Sequence, residues 1–322
     1  MTPAQLRAFA AVARWGSVKQ AAAELNLTES AVSMHVAQLR KELGDALFSR
    51  TSQGIAFTPG GLRLATRSVE LLGLQDLTVR EVGQAALGRR ILQIGASACF
   101  AEWAADGLLD AFTSRAGSDL AVELSVVSPA DFELLLTSRG IDVALGPSGQ
   151  VAEGLQQRVV LAYDVQVYAA PGHPFAHTTV SPDQLRQALW YLGPSGIGSQ
   201  GEAAPLAHAL GIPEERQRIF HSDGAAIEET KYSEALTIAL AHTVTTDVQA
   251  RRLVRVPIAP ELAVGPGAKG SWAVRVLTDD TMPARDEFVR FLATPRAIQA
   301  MLRGSGVALR RARSTTHVTL WN

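Results

Sequence analysis

A single cysteine, Cys99, stands in the 322 residues, which excludes an internal disulfide framework and a cysteine-built zinc cage. No apolar run approaches the roughly 18 residues needed to span a bilayer. The first residues lack a basic segment followed by a continuous hydrophobic core, so the expected place of the protein is the cytoplasm, away from membranes. No GK[ST] phosphate-cradling loop occurs, and no acid, base and nucleophile assemble in the sequence. The expectation is therefore no enzyme, no metal and no cofactor. Internal repeats and low-complexity tracts are absent as well.

What is present is an uneven charge. The net charge of -1 hides eight basic residues against four acids between Met1 and Arg67, leaving the remainder acidic. Only one end of the chain is suited to a polyanion. In that basic segment Thr2 and Pro3 open a helix whose face is predicted from Leu6, Phe9, Ala10 and Ala13, and Gly16 stops it. Ser17, with Gln20 three residues on, forms a capping box for a second helix that buries Ala21, Ala22 and Leu25. Asn26 ends it, Leu27 is predicted to anchor the turn in the core, and Thr28 caps a third helix. This is a helix-turn-helix.

On the third helix Val32, Val36, Leu39 and Leu43 share a stripe at about 100° per residue, which fixes the opposite face. That face carries Ser30, Ser33, Met34, Ala37 and Lys41, with Glu29 at the first turn and Gln38 on a flank. Short and polar side chains of this kind suit a helix lying in a DNA major groove. LFSR and IAF then read as a small hairpin, a wing, on which Arg50 is placed to reach a phosphate or the minor groove. Thr58 and Pro59 open a long helix in which Ala65, Leu72, Val79 and Ala86 recur by sevens, flanked by Leu62, Val69 and Val82. Such a seam suits dimerisation.

Beyond Arg90 short β runs alternate with helical segments, the pattern of an α/β fold with largely parallel sheet. The runs ILQIGAS, LAVELSVVS and IDVALGP form one series, and LWYLGPS, RQRIFHS and ALTIALA a second. SWAVRVLT then returns as a strand, and MPARDEFVRFLATPRAIQAMLRG closes as a helix. Two lobes follow, with a cleft between them. Ligands of such folds bind at the carboxyl ends of strands, where helix starts offer free N–H groups. Candidates are Ser97 and Ala98 after the first strand, Ser128 after the second, Pro147 at the end of the third, and Ser195, Gly196, Ile197 and Ser199 in the loop GPSGIGSQ.

The segment LRAFAAVARWGSVKQAAAELNLTESAVSMHVAQLRKELGDALFSRTSQGIAFTPGG, with AVS at Ala31 to Ser33, ELG at Glu42 to Gly44, LFSR at Leu47 to Arg50 and TPGG at Thr58 to Gly61, resembles the LysR-type transcriptional regulators. The resemblance extends more loosely to about Ala308. It implies a winged helix-turn-helix over residues 1–58, a linker and dimerisation helix over 59–89, and a two-lobed effector-binding domain of the type 2 periplasmic-binding-protein kind over 90–308. Lobe one would hold 90–168 and 270–308, lobe two 169–269, and 309–322 would form a tail. It implies double-stranded promoter DNA, a small-molecule effector and further copies of the chain as partners, usually as a homotetramer, with RNA polymerase as a further candidate. DNA contacts carried over are Ser17, Lys19, Thr28, Glu29, Ser30, Ser33, Met34, Gln38 and Arg50.

Several residues depart from the family pattern. Glu29 stands where Gln is frequent, Ser30 where Pro is, Met34 where a basic residue is common, Arg40 where Glu is usual, and Gln53 at a wing position that is often basic. The loop GPSGIGSQ resembles the GSGT-type loop of regulators of carbon-fixation genes, with Gln200 in place of the usual arginine, and so points to a phosphate or carboxylate effector. Cys99 reads either as a redox thiol at a helix start or as a buried inert one. His173 in GHP fits a turn, and His221 and Asp223 either line the cleft or face solvent. The overall expectation is a DNA-binding regulator controlled by a small molecule. A two-lobed solute-binding protein, and a regulator that senses nothing, remain alternatives.

Overall fold

A computed structural model describes residues 1–51, 54–86, 88, 90–117, 119–259, 267–278 and 281–303. The chain separates into two compact units, one of residues 1–90 with 134–141, the other holding the rest of the described chain. Gln53, Leu87, Arg89 and the tail at 309–322 lie outside the described residues.

In the first unit α1 (Pro3–Trp15) begins with a reciprocal capping box between Thr2 and Gln5. Its buried face is Leu6, Ala8, Phe9, Ala11 and Val12, while Ala10 and Ala13 are only half-buried, so the apolar stripe lies to one side of the predicted one. Ser17 caps α2 (Val18–Leu25) by accepting from the Gln20 N–H, without the return bond from the Gln20 side chain that the predicted capping box requires, and Asn26 ends it in the left-handed conformation at φ 54°. Leu27 does not enter the core. Its side chain is 43% exposed, because the turn is held by backbone, the Leu27 N–H donating to the Ala22 carbonyl at 2.9 Å.

Thr28 caps α3 (Glu29–Leu43), whose Val32, Val36 and Leu39 are buried. Leu43, on the last turn, is exposed, since the stripe runs out before Gly44 turns the chain away. The strands β1 (Phe48–Thr51) and β2 (Gly54–Phe57) pair antiparallel as the predicted wing. Asp45 Oδ1 accepts from the Leu47 N–H at 2.6 Å and from Thr58 Oγ1 at 2.7 Å, which closes the base of the wing and holds the Asp45 carboxyl below its usual range. The start of α4 (Pro59–Ala86) presses on that base. A Cβ at Gly61 would lie 1.8 Å from the Leu47 carbonyl oxygen, so the second glycine of TPGG is required by close approach.

The seam on α4 also differs from the predicted heptad. Ala65 packs onto the core of the first three helices and Leu72 is half-buried, whereas Leu71, Leu74, Val79 and Val82 are exposed. The free apolar face thus keeps Leu62, Val79 and Val82 of the predicted seam and adds Leu71 and Leu74, while Ala65 and Leu72 turn inward.

The second unit is built on a nine-stranded sheet in the order β4-β3-β5-β11-β6-β9-β7-β8, with β10 (Val254–Arg255) beside β6. Strands β3 (Arg90–Ala96) and β5 (Val143–Pro147) are parallel, as are β7 (Trp190–Leu192), β8 (Gln217–Ile219) and β9 (Leu236–Leu240). β4 (Leu120–Val126) forms one edge of the sheet. The expectation of a largely parallel sheet fails at the centre. There β6 (Leu155–Ala169) and β11 (Lys269–Leu277) pair antiparallel with each other, β11 with β5, and β6 with β9.

These two central strands join the lobes. The sequence pattern did not single out β6, although it is the longest strand. Its first half alternates in exposure and its second half is mostly buried, so no single period marks it. Val165 to Tyr168 already pair with β9 of the second lobe, so the outgoing crossover lies near Asp164 and not at Tyr168. The closing helix is two helices, α12 (Pro283–Leu292) and α13 (Pro295–Met301), with Thr294 capping the second. Pro295 has no N–H to continue the first ladder and disfavours helical backbone at Thr294.

Candidate functional site

Two regions carry chemistry. On α3 the side chains of Glu29, Ser30, Ser33, Met34, Ala37, Gln38 and Lys41 are all exposed, and Met34 is 59% so. Ser17, at the start of α2, is half-buried, and Lys19 and Thr28 are exposed. Ser30 Oγ and Thr28 Oγ1 lie 2.9 Å apart, so the capping threonine also orients the first hydroxyl of the face. Arg50 sits on β1 opposite Ile55, and its side chain is not among those described. Arg40, the residue that departs from the family pattern, faces the wing. Its Nη2 donates to the Phe48 carbonyl at 2.7 Å and its guanidinium lies 4.5 Å from the centre of the Phe48 ring, tying α3 to β1.

In the second unit a cleft of about 490 Å³ opens at the carboxyl ends of β3, β4 and β7. The backbone explains why the ends converge there. The Ser97 N–H donates to the Leu145 carbonyl, and the Val127 N–H to the Ala96 carbonyl, both at 2.9 Å. Ser97, Ala98, Ser128, Ser195, Ile197 and Ser199 line the cleft. Gly196 and Pro147 do not. Gly196 is buried with its Cα facing the Leu192 side chain, and the Pro147 carbonyl accepts from Arg275 Nη2 at 2.8 Å.

The groups that the sequence concealed are acids. Glu202 is 4% exposed, lines the cleft, and accepts from Ser97 Oγ and from Trp272 Nε1, the latter at 3.0 Å. Asp223 is 6% exposed, and its Oδ1 accepts from the Ser195 N–H at 3.2 Å and from Ser195 Oγ at 2.8 Å. Glu102 accepts from the N–H groups of Asp223 and Gly224, at 3.1 and 2.9 Å, at the start of α10 (Asp223–Thr230). Burial pushes the carboxyls of Glu202 and Asp223 above their ordinary range, against the lowering effect of their serine partners. No local signal marks these residues, because each becomes an acceptor only through partners 28 to 122 positions away.

Cys99 is buried at the cleft, and desolvation together with Glu202, Asp223 and Glu102 pushes its thiol well up. The buried, inert alternative therefore holds over a low-pKa redox thiol. His173 closes its own turn, Nδ1 accepting from the Phe175 N–H at 3.0 Å. His221 is exposed, while Asp223 lies inside. His242 stands edge-on to Trp272, ring centres 5.2 Å apart, and burial pushes its pKa down to about 4.

This last shift gives a pH prediction. The fold favours neutral His242, so its stability is full above about pH 6.5 and is lost as the pH falls from there toward 4. The loss amounts to about 2 kcal/mol at pH 5. In melting curves, His242→Phe is expected to lose less Tm between pH 7 and pH 5 than the unaltered chain does. Equal losses would show that His242 does not titrate in this way.

A capped helix-turn-helix with a hairpin wing, a long helix, and a two-lobed α/β domain with a cleft together describe a regulator of transcription. The sequence comparisons agree. Residues 3–62 match the bacterial regulatory helix-turn-helix proteins of the lysR family, and residues 85–294 match the LysR substrate binding domain. The chain belongs to the LysR family of DNA-binding transcriptional regulators, whose members are regulators and not enzymes. It is 50% identical, over the full length of both chains, to an uncharacterized HTH-type transcriptional regulator of Mycobacterium tuberculosis. It is 28% identical to the RuBisCO operon transcriptional regulator of Allochromatium vinosum, over 79% of this chain and 84% of that one. Among solved structures ArgP of Mycobacterium tuberculosis aligns with a TM-score of 0.57 at 17% identity, covering 93% of this chain and 97% of that one. CbnR, a LysR family transcriptional regulator, aligns at 0.52 and 19% identity, covering 91% and 98%. No described helix is long and apolar enough to cross a membrane.

Proposed function

We propose that α3 enters the major groove of promoter DNA and that a small molecule held in the cleft of the second unit controls the outcome. Ser30, Ser33, Met34 and Gln38 would meet base edges, and Glu29 would accept a hydrogen bond such as that of a cytosine amino group. Ser17, Lys19 and Thr28, with Arg50 on the wing, would hold the phosphates. The observation that carries this reading is the exposed face of α3, which keeps its contacting side chains free while Val32, Val36 and Leu39 fix the helix from behind.

The exposed apolar face of α4, at Leu71, Leu74, Val79 and Val82, supports pairing with a second copy, and pairs of such dimers would form the tetramer. An effector that binds one arrangement of the lobes better than another would shift subunit packing and so the spacing and bend imposed on DNA. Among the cleft residues, Ser97, Ala98, Ser128, Ser195, Ile197 and Ser199 are assigned to the effector. The residue boundaries of linker and lobes are proposed as read from the sequence, apart from the crossover near Asp164.

Gel shifts of the full chain on its own promoter region test the DNA half. Affinity is expected to fall steeply with salt, and a salt-independent or absent shift would overturn it. For the effector half, Ala130→Trp places a large ring at an exposed position of the cleft rim. Cell extract should change the DNA footprint of the unaltered chain and not that of the variant. A change that persists in the variant would move the effector elsewhere.

A further inference from the structure

The loop resemblance predicts an anionic effector, but the cleft is not furnished for one. Among the described residues its lining holds no lysine, arginine or histidine, and its only carboxyl is that of Glu202. The buried donors of the cleft, on Ser97 and Ser195, already serve carboxylates of the chain itself, which leaves an anion only the uncharged groups of Ser128, Ser199 and Gln200. Ser97 Oγ is given to Glu202, the N–H and Oγ of Ser195 to Asp223, and the first N–H groups of α10 to Glu102. Behind Ser195, Asp223 Oδ2 is itself buried without a hydrogen-bond partner, so this part of the wall has no spare donor to offer an anion. A phosphate or carboxylate set at the buried end of the cleft would have to displace one of these carboxylates or sit beside it, where like charges repel.

The opposite charge meets no such obstacle. Glu202 reaches the cleft from a side chain that is otherwise buried and is fixed in place by Trp272 Nε1 and Ser97 Oγ. Val126, Val127, Pro129, Ala130, Pro194 and Ile197 give the wall an apolar part, beside the uncharged polar side chains of Ser128, Ser199 and Gln200. A volume of about 490 Å³ lies within the range of small-molecule sites.

We infer that the effector is a small organic ammonium compound, its cationic head set against the Glu202 carboxylate and its apolar body along the valine and proline wall. This inference rests on the reading of the cleft as the effector site. It reverses the charge expected from GPSGIGSQ. Gln200, where the resemblance has arginine, fits the reversal, since no fixed cation remains in the loop to repel an ammonium group.

Calorimetric titration of the full-length protein at pH 7.5 and constant ionic strength, with n-hexylamine, hexan-1-ol, hexanoate and inorganic phosphate as probes, tests the assignment. The amine is expected to bind at least tenfold more tightly than hexanoate or phosphate. Glu202→Gln keeps an oxygen acceptor for Trp272 and Ser97, and should abolish that preference with its melting transition retained. Hexanoate or phosphate binding as tightly as the amine, or no amine binding at millimolar concentration, would overturn the charge assignment whatever the variant does. Ala130→Trp separates the two readings. If the amine binds the unaltered chain selectively and the variant equally well, the cleft is not its site and both readings fail. If an anion binds and Ala130→Trp removes it, the cleft stands and the ammonium class falls.

Discussion

Ser33→Glu is expected to weaken binding to promoter DNA by roughly 10- to 100-fold, the equivalent of losing one good base contact or adding a charge facing phosphates. Ser33 is exposed on α3 and lies one turn beyond Glu29, so the substitution sets two carboxylates in succession on the face proposed to enter the groove. The folded domain should hardly notice, because exposed substitutions of this kind change stability by about 0.5 kcal/mol or less. Fluorescence anisotropy with labelled promoter DNA, beside a melting curve of the same sample, separates the two effects. Met34→Lys on the same face is the reciprocal change. It should strengthen binding and steepen the salt dependence by about one further phosphate contact. Unaltered affinity in both variants would remove this face of α3 from the DNA interface.

The second large effect belongs to Trp272. Its side chain is fully buried on β11 and meets Phe100, Tyr163 and His242 at ring-centre distances of 4.9, 5.5 and 5.2 Å. Its indole N–H also supplies one of the donors to Glu202. Trp272→Ala opens a cavity among these rings and strips a buried carboxyl of a partner, for an expected loss of about 3–5 kcal/mol. For a domain of this size the Tm should fall by about 10 °C. Trp272→Phe restores much of the volume without the N–H, so it should recover most of the packing loss while leaving the carboxyl short of one donor. A denaturant series on the three proteins measures both contributions. A loss under about 1 kcal/mol in the alanine variant would mean that the joint between the lobes is not packed through Trp272.

The same residues mark where sequence reading succeeds and where it stops. The helix-turn-helix was legible because its determinants are local. Thr2, Ser17 and Thr28 each cap a helix through a side chain three residues from its donor, and Asn26 ends α2 by its own backbone preference. The positions misplaced there, Leu27 and Leu43, and those of the α4 seam that turn inward, Ala65 and Leu72, depend on which neighbour covers them. Periodicity fixes a face but not what packs on it.

In the second unit the strand ends and their serines were legible for the same reason, since Ser97 and Ser128 follow β runs and cap the turns after them. Local signals thus carry the regulator architecture, the helix proposed to face DNA and the strand ends at which the cleft opens. Its chemical character was decided only by tertiary structure. Ser97 and Glu202 are 105 positions apart, Glu202 and Trp272 70, and Ser195 and Asp223 28. A carboxylate takes its role from the donors that surround it and from the water it has lost, and both are set by the antiparallel crossing of β6 and β11 that brings the lobes together.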